Sequence, residues 1–169
     1  DRKQLMSGTI DRVDICENGT DVYVRIIDYK TGKKDFNIVK TYYGIDIQLM
    51  VYMEAAMKLV AKMRPGKNVI PAGVFYYNIS DPIVSATTES AEEIEDKIKG
   101  ELRLKGMVNS DKDIAEKMDN TEGTSLNIPV SRKADGGFDS RRSKVMNTEQ
   151  FNMLGRFVDV RAIDTADRI

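Results

Sequence analysis

The stretch Glu17-Asn18-Gly19-Thr20 constrains this chain more than any other, because it lies between two runs rich in Ile, Val and Tyr. Residues 5–16 and 21–30 both read as strands. Asn-Gly between such runs is the strongest short-range hairpin signal, since both residues tolerate positive φ. After a polar stretch, residues 44–63 read as a helix. Ile45, Leu49, Tyr52, Met53, Ala56, Leu59, Val60 and Met63 follow the 3.6-residue period. Ile47, Met50, Val51 and Met57 make its other sides apolar, which predicts a helix buried on most of its surface. Arg64-Pro65-Gly66 ends it. The apolar, aromatic run 72–79 reads as a central strand, 91–104 as an exposed amphipathic helix, and 111–118 as a short helix. Residues 126–131 and 138–144 form a second expected hairpin around Ala134-Asp135-Gly136-Gly137. Asn147, with Gln150 three residues later, marks a helix that runs to the end. No repeat or internal boundary interrupts this pattern, so the expectation is one α/β domain over residues 1–169.

Composition narrows the chemistry. A chain of 169 residues, 41% hydrophobic and 31% charged, has the balance of a globular domain with a full core. No apolar stretch approaches bilayer length and no signal peptide opens the chain, so no membrane partner is expected. The chain begins at Asp1, with the strand pattern following almost at once, which suggests a segment excised from a longer protein. One cysteine, Cys16, excludes an internal disulfide framework and any all-cysteine metal site within this segment. A reducing cytoplasm fits. There is no histidine, which excludes Ser-His and Cys-His catalysis and zincin-type sites. Hydrolysis here would have to use carboxylates, lysine and a hard ion such as Mg²⁺. The net charge of −1 gives no global basic field, so either the partner is not nucleic acid or another polypeptide delivers it.

The hairpin permits a geometric argument. With Asn18-Gly19 as a two-residue loop, Glu17 pairs with Thr20, Asp11 lies opposite Ile26, and Asp28 lies opposite Thr9. Directly opposed residues share a face and side chains alternate, so Asp11, Asp28 and Lys30 project from one face. Asp11 and Asp28 are then diagonal neighbours with Cβ atoms roughly 7 Å apart, within reach of one ion. Their neighbours on that face are Thr9, Val13, Val22 and Val24, and unpaired charge in such surroundings is costly. A divalent cation would draw the two acids together, lower the pKa of a bound water and polarise a phosphodiester. Lys30 would then orient the nucleophile or stabilise charge on the phosphate. An Asp28–Lys30 ion pair, with Asp11 hydrogen-bonded nearby, explains the same residues equally well on geometry alone.

Gln48 and Tyr52 stand four apart and stack on one helix face. A buried amide in so apolar a helix needs partners, either at a substrate site or in the sheet backbone. Lys33 and Lys34 follow the site strand and could meet phosphates. Arg132, Lys133, Arg141, Arg142 and Lys144 read as solvated surface first and a DNA or partner contact second. The nine methionines read as core filling.

Gly8-Thr9-Ile10-Asp11, Asp28-Tyr29-Lys30-Thr31-Gly32, and Gln48-Leu49 with Tyr52 occur in an order that resembles the RecB-type branch of the PD-(D/E)XK nucleases. The resemblance implies a restriction-endonuclease-like core, a mixed β-sheet flanked by helices. It also implies that Asp11, Asp28 and the backbone carbonyl of Tyr29 bind Mg²⁺ or Mn²⁺, that Lys30 is catalytic, and that Gln48 and Tyr52 support the site. Gly8–Asp14, Tyr43-Gly44, and Pro71-Ala72-Gly73 leading into Phe75-Tyr76-Tyr77 resemble more finely the AddB subunits of bacterial AddAB helicase–nucleases. That likeness runs clearly over residues 5–82 and more loosely to the end. It implies a DNA substrate, an AddA-like helicase–nuclease partner and a part in double-strand-break repair. Arg12 and Asp14, on the opposite face, read as structural.

Two departures stand out. RecB-type nucleases usually supply a metal-binding histidine from a helix upstream, and AddB proteins typically carry four cysteines on an iron–sulfur cluster. This segment has neither, so the cluster is expected in the parent protein only and the isolated segment is expected to be nearly inactive. Another nuclease of the same branch, such as a CRISPR-associated or phage exonuclease, is the first alternative. A degenerate fold that guides DNA or braces a partner is the second.

Overall fold

The computed structural model describes residues 8–79 and 90–166, the side chains of 162–166 aside. Strand β1 (Arg12–Asn18) turns into β2 (Asp21–Lys30). Two helices follow, α1 (Ile38–Tyr42) and α2 (Gln48–Met63), then β3 (Asn68–Asn78) and α3 (Ala91–Leu102). Next come β4 (Lys105–Asn109), α4 (Lys112–Met118), β5 (Val145–Met146) and α5 (Thr148–Ala166). The five strands form one sheet in the order β1-β2-β3-β4-β5. The first and third pairings are antiparallel and the second and fourth parallel, so the sheet is mixed and β3 is central.

The hairpin turns one residue later than the sequence pattern predicts. Asn18 pairs with Asp21 and Glu17 with Val22, leaving Gly19-Thr20 as the loop. Gly19 has φ +61, while no described non-glycine residue has positive φ. That matches a loop needing glycine only at its first central position, so Asn18 stays extended and donates to Tyr23 Oη at 3.2 Å. The register therefore differs by two residues from the expected one. A shift of two preserves the facing of every side chain, whereas a shift of one would have inverted it.

One face of the sheet packs on α2 and α5. Val22, Val24, Ile26, Val74 and Tyr76 from the strands meet Leu49, Met50, Met53, Phe151, Leu154 and Val158 from the helices. Burying each large aliphatic side chain contributes about 1.5–3 kcal/mol. Glu54 of α2 lies over Gly155 of α5, where a Cβ would come within 1.9 Å of Glu54 Oε1. The other face is covered by α4 and the segment around 125–130, through Ile27, Phe75, Val108, Ala115, Ile128 and Val130.

Several expectations change. Residues 8–11 are not strand, and 5–7 lie outside the described residues. The main helix begins at Gln48 rather than residue 44, and a separate short helix precedes it, capped by Asn37 Oδ1 accepting from the amides of Val39 and Lys40. Gly44, at φ +76, separates the two. The main helix is also less buried than expected: Leu59 and Met63 face solvent. The second hairpin is reduced to a tight turn. The bridge Arg132↔Phe138 closes around residues 134–137, with Lys133 N–H donating to the Gly137 carbonyl and Asp139 N–H to the Ser131 carbonyl, both at 2.8 Å, but no strand ladder extends from it over 126–131 and 138–144. Asp119 accepts from the Thr121 amide at 2.7 Å, Ser125 Oγ at 2.6 Å and Asn127 Nδ2 at 2.9 Å. The last helix starts as read, with Asn147 and Gln150 bonding reciprocally. It is described to residue 166.

Candidate active site

β2 and β3 run parallel, so their C-terminal ends lie together: Asp28 pairs with Tyr76 and Lys30 with Asn78. The first turn of α2 lies across these ends on the core face. There Asp28 is buried, at 2% exposure. Its Oδ2 lies 2.5 Å from Lys30 Nζ as an ion pair, yet that oxygen receives no aligned hydrogen bond. Lys30 donates to Gln48 Oε1 at 2.9 Å, and Gln48 Nε2 donates to Tyr52 Oη at 3.0 Å. Asp28, Lys30, Gln48 and Tyr52 thus form one polar string from sheet to helix.

Asp11 lies one residue beyond the β1–β2 ladder, whose last pair is Arg12↔Ile27. Its Oδ2 accepts from the Tyr29 amide at 2.9 Å, which holds this exposed carboxylate at the end of β2, beside the residue that follows Asp28. The Tyr29 ring points to the other face and meets Tyr77 edge-on at 5.7 Å. Lys33 is exposed, while Lys34 turns inward to Asp46 Oδ2 at 3.2 Å.

Asp46 and Tyr76 complete the site, and sequence reasoning passed over both. Asp46 is buried and accepts from Tyr76 Oη at 2.8 Å. Lys30 and Lys34 Nζ lie 5.7 and 5.5 Å from the Tyr76 ring centroid, within cation–π range. Burial, and then the hydrogen bond to Asp46, push the Tyr76 hydroxyl well above the usual phenol range, so it remains a donor. The available signal was Asp46 itself, a lone acid between Ile45 and Ile47 in an apolar run.

These groups suit a hard divalent cation. Three carboxylates, Asp11, Asp28 and Asp46, stand against two ammoniums, Lys30 and Lys34, which leaves a negative excess. The buried Asp28 carboxylate has a single cationic partner, and the donor atoms on offer to a metal are all oxygens. Among the described residues no group of three or more Asp, Glu or Cys side chains is gathered for a metal, so Asp11 and Asp28 would need a backbone carbonyl or water beside them.

Residues 4–136 match the family model of the PD-(D/E)XK nuclease superfamily. The chain belongs to that superfamily. Its mixed five-stranded sheet flanked by helices is the fold expected of a PD-(D/E)XK protein. The chain is also 38% identical over 164 residues to the B subunit of an ATP-dependent helicase/deoxyribonuclease from Thermoanaerobacter sp. (strain X514), covering 96% of this chain and 14% of that protein. The corresponding B subunit from Lachnoclostridium phytofermentans is 39% identical over 168 residues, 94% of this chain and 14% of the relative. That of Caldanaerobacter subterraneus subsp. tengcongensis is 40% identical over 164 residues, again 96% and 14%. The chain therefore spans about 14% of the length of the curated relatives it matches. Among the described residues, no helix of this PD-(D/E)XK chain is long and apolar enough to cross a membrane.

Proposed function

We propose that this chain is the nuclease segment of an AddB-like helicase–nuclease subunit, hydrolysing phosphodiesters of one DNA strand with Mg²⁺ or Mn²⁺ during double-strand-break repair. In this reading an AddA-like motor subunit delivers the strand, which suits a chain of net charge −1. The observation that carries the reading is the polar string at the paired ends of β2 and β3, where the buried Asp28 carboxylate pairs with Lys30 and Lys30 is held in turn by Gln48 and Tyr52. A buried charge is repaid only when its valences are satisfied, and one partly exposed ammonium is a small complement for so buried an acid.

Asp11, Asp28 and the Tyr29 carbonyl would hold the ion. When bound, it would supply a water of lowered pKa and a positive charge against the phosphate. Lys30 contributes a second positive charge beside the same carboxylate, placed to stabilise the oxygen charge that grows as the phosphodiester breaks. Gln48 fixes the ammonium by accepting from it, and Tyr52 fixes Gln48 by accepting in turn. Asp46 and Lys34 brace Tyr76, which walls the site from the core.

The test is cleavage of labelled single- and double-stranded DNA in Mg²⁺ or Mn²⁺, at high enzyme concentration and long incubation, beside an Asp28→Ala control. Slow cleavage by the chain, lost in the variant, is expected. Equal cleavage by both would overturn the assignment. In a full helicase–nuclease complex the same substitution should stop cutting while DNA unwinding continues.

A further inference from the structure

Two basic clusters about 100 residues apart in sequence meet in space. Lys33 and Lys34 leave the site strand, while Arg142 and Lys144 precede β5, and together with Arg103 and Lys105 they line a groove of about 420 Å³. Among the described residues, Asp35 and Glu101 are the only acids on its walls. On a chain with net charge −1, this is a local concentration of positive charge.

The groove is built rather than incidental. Lys144 Nζ meets Asp35 Oδ2 at 2.5 Å, tying the two clusters together across 109 positions. Asn78 donates to the Lys34 carbonyl and accepts from its amide, both at 3.0 Å, which pins the loop after β2 to the end of β3. Arg103 donates to the carbonyls of Ile128 at 2.7 Å and Val130 at 3.1 Å, so its guanidinium is held in place at the wall. Lys34 also lines the neighbouring pocket that contains Asp46, Gln48 and Tyr52. Lys34 is thus shared by the groove and by the pocket beside the polar string.

We infer that this groove is a phosphate track for single-stranded DNA, carrying the backbone of the strand to or from the site through Lys33, Lys34, Arg142 and Lys144. The inference rests on the nuclease reading above and adds the path the strand takes. Among the described residues its walls hold cations but no aromatic side chain, so contacts go to phosphates and carry no base information. Binding should therefore be indifferent to sequence and steep in salt.

The experiment measures fluorescence anisotropy of a labelled thymidine oligonucleotide in EDTA, where nothing can be cut. Lys33→Gln/Arg142→Gln removes two exposed groove charges. Lys133→Gln/Arg141→Gln removes two equally exposed charges that do not line the groove. Circular dichroism checks that both variants fold. The groove pair should weaken binding roughly tenfold and lower the salt slope by about 1.4, at about 0.7 per phosphate contact on a single strand. The other pair should change affinity less than twofold. Equal losses from the two pairs, or none from the groove pair, would overturn the track. So would a groove that binds polyglutamate and ignores the oligonucleotide, which would reassign it to an acidic protein partner. Groove-dependent binding beside a full helicase–nuclease complex whose cutting survives Asp28→Ala would sink the nuclease reading and leave the track standing.

Discussion

The β1–β2 hairpin carries a carboxylate among cations on each of its faces, and the two are satisfied differently. On the outer face Asp14 accepts from Arg12 Nε at 2.9 Å and from Arg25 Nε at 2.7 Å, with Arg12 exposed and Asp14 and Arg25 half-buried. On the inner face Asp28 is nearly sealed and has one cation at 2.5 Å, on an oxygen that no aligned hydrogen bond reaches. The more exposed acid has two partners where they are worth little, and the buried one has a single partner where a shortfall is costly. Residue type does not separate these clusters. Burial and the number of partners do.

The largest effect that could break this contrast is on cleavage. Asp28→Ala or Lys30→Ala should lower strand cleavage by at least about 100-fold, the scale of losing one preorganised charge at a reacting phosphate. Asp14→Ala should change it less than about threefold, having no contact with the reacting groups. Matched cleavage time courses of the three variants decide the point. A comparable loss at Asp14 would show that burial was the wrong criterion.

Stability should show the opposite asymmetry within the inner pair. Lys30→Met strands the Asp28 carboxylate in the core and should cost about 3 kcal/mol. That is the lower end for breaking a buried pair, because the Lys30 side chain is 29% exposed. Asp28→Asn removes the buried charge and should be neutral or stabilising. The double variant should recover most of the loss, since the two residues are coupled. Urea melts of the set measure this, and a Lys30→Met protein as stable as wild type would mean that Asp28 is better solvated than its burial indicates.

How much of this is readable from sequence depends on whether local signals are enough. β2 is legible to the residue, because Gly19-Thr20 bounds it on one side and Thr31-Gly32 on the other. The shared face of Asp28 and Lys30 survives a register error, since a slip of two preserves facing. The start of α2 is misplaced because Ile45 and Ile47 continue an apolar period through a turn that only the φ of Gly44 reveals. The Asn37 cap before Ile38-Val39 is a usable sign of α1 that went unread. β4 is five residues with polar ends, and its strand character comes from pairing with β3 and β5 rather than from its own pattern. The second hairpin is the reverse case: its turn around Gly136-Gly137 forms, but the flanking alternation does not extend into a ladder, and Ser131 pairs back with Thr124 instead. Asp46 and Tyr76 escape notice because their meaning lies in each other, 30 positions apart.

Asp119 extends the comparison to a buried carboxylate with no catalytic part. Burial alone would raise its pKa, but bonds from Ser125, Thr121 and Asn127 outweigh that and hold it at about 2. At about 1.4 kcal/mol for each tenfold change in acid strength, the depression contributes about 2 kcal/mol. The folded pKa lies below the unfolded one, so this stability is complete above the ordinary carboxylate pKa and is lost as pH falls toward 2. Asp119→Ala should therefore destabilise by about 2 kcal/mol at neutral pH, and its acid unfolding curve should be flatter than wild type between about pH 4 and 2. Parallel curves would mean the loop does not depend on this acid.

The smallest effect belongs to Asp14. Burial opposes its ionisation, but the hydrogen bonds from Arg12 and Arg25 prevail and hold its pKa below the ordinary value. Its contribution is thus present above the unfolded pKa and lost as pH drops through the lowered folded one. Exposed pairs of this kind are screened by salt and are worth under about 1 kcal/mol. Asp14→Ala should shift the urea midpoint slightly in dilute buffer and not at all in 1 M NaCl, where the screening length falls to about 3 Å. Lys30→Met should remain destabilised at both salt concentrations, because its effect arises where salt cannot enter. If salt erased both differences equally, the two faces would be electrostatically alike and the inner one would lose its claim to be a site.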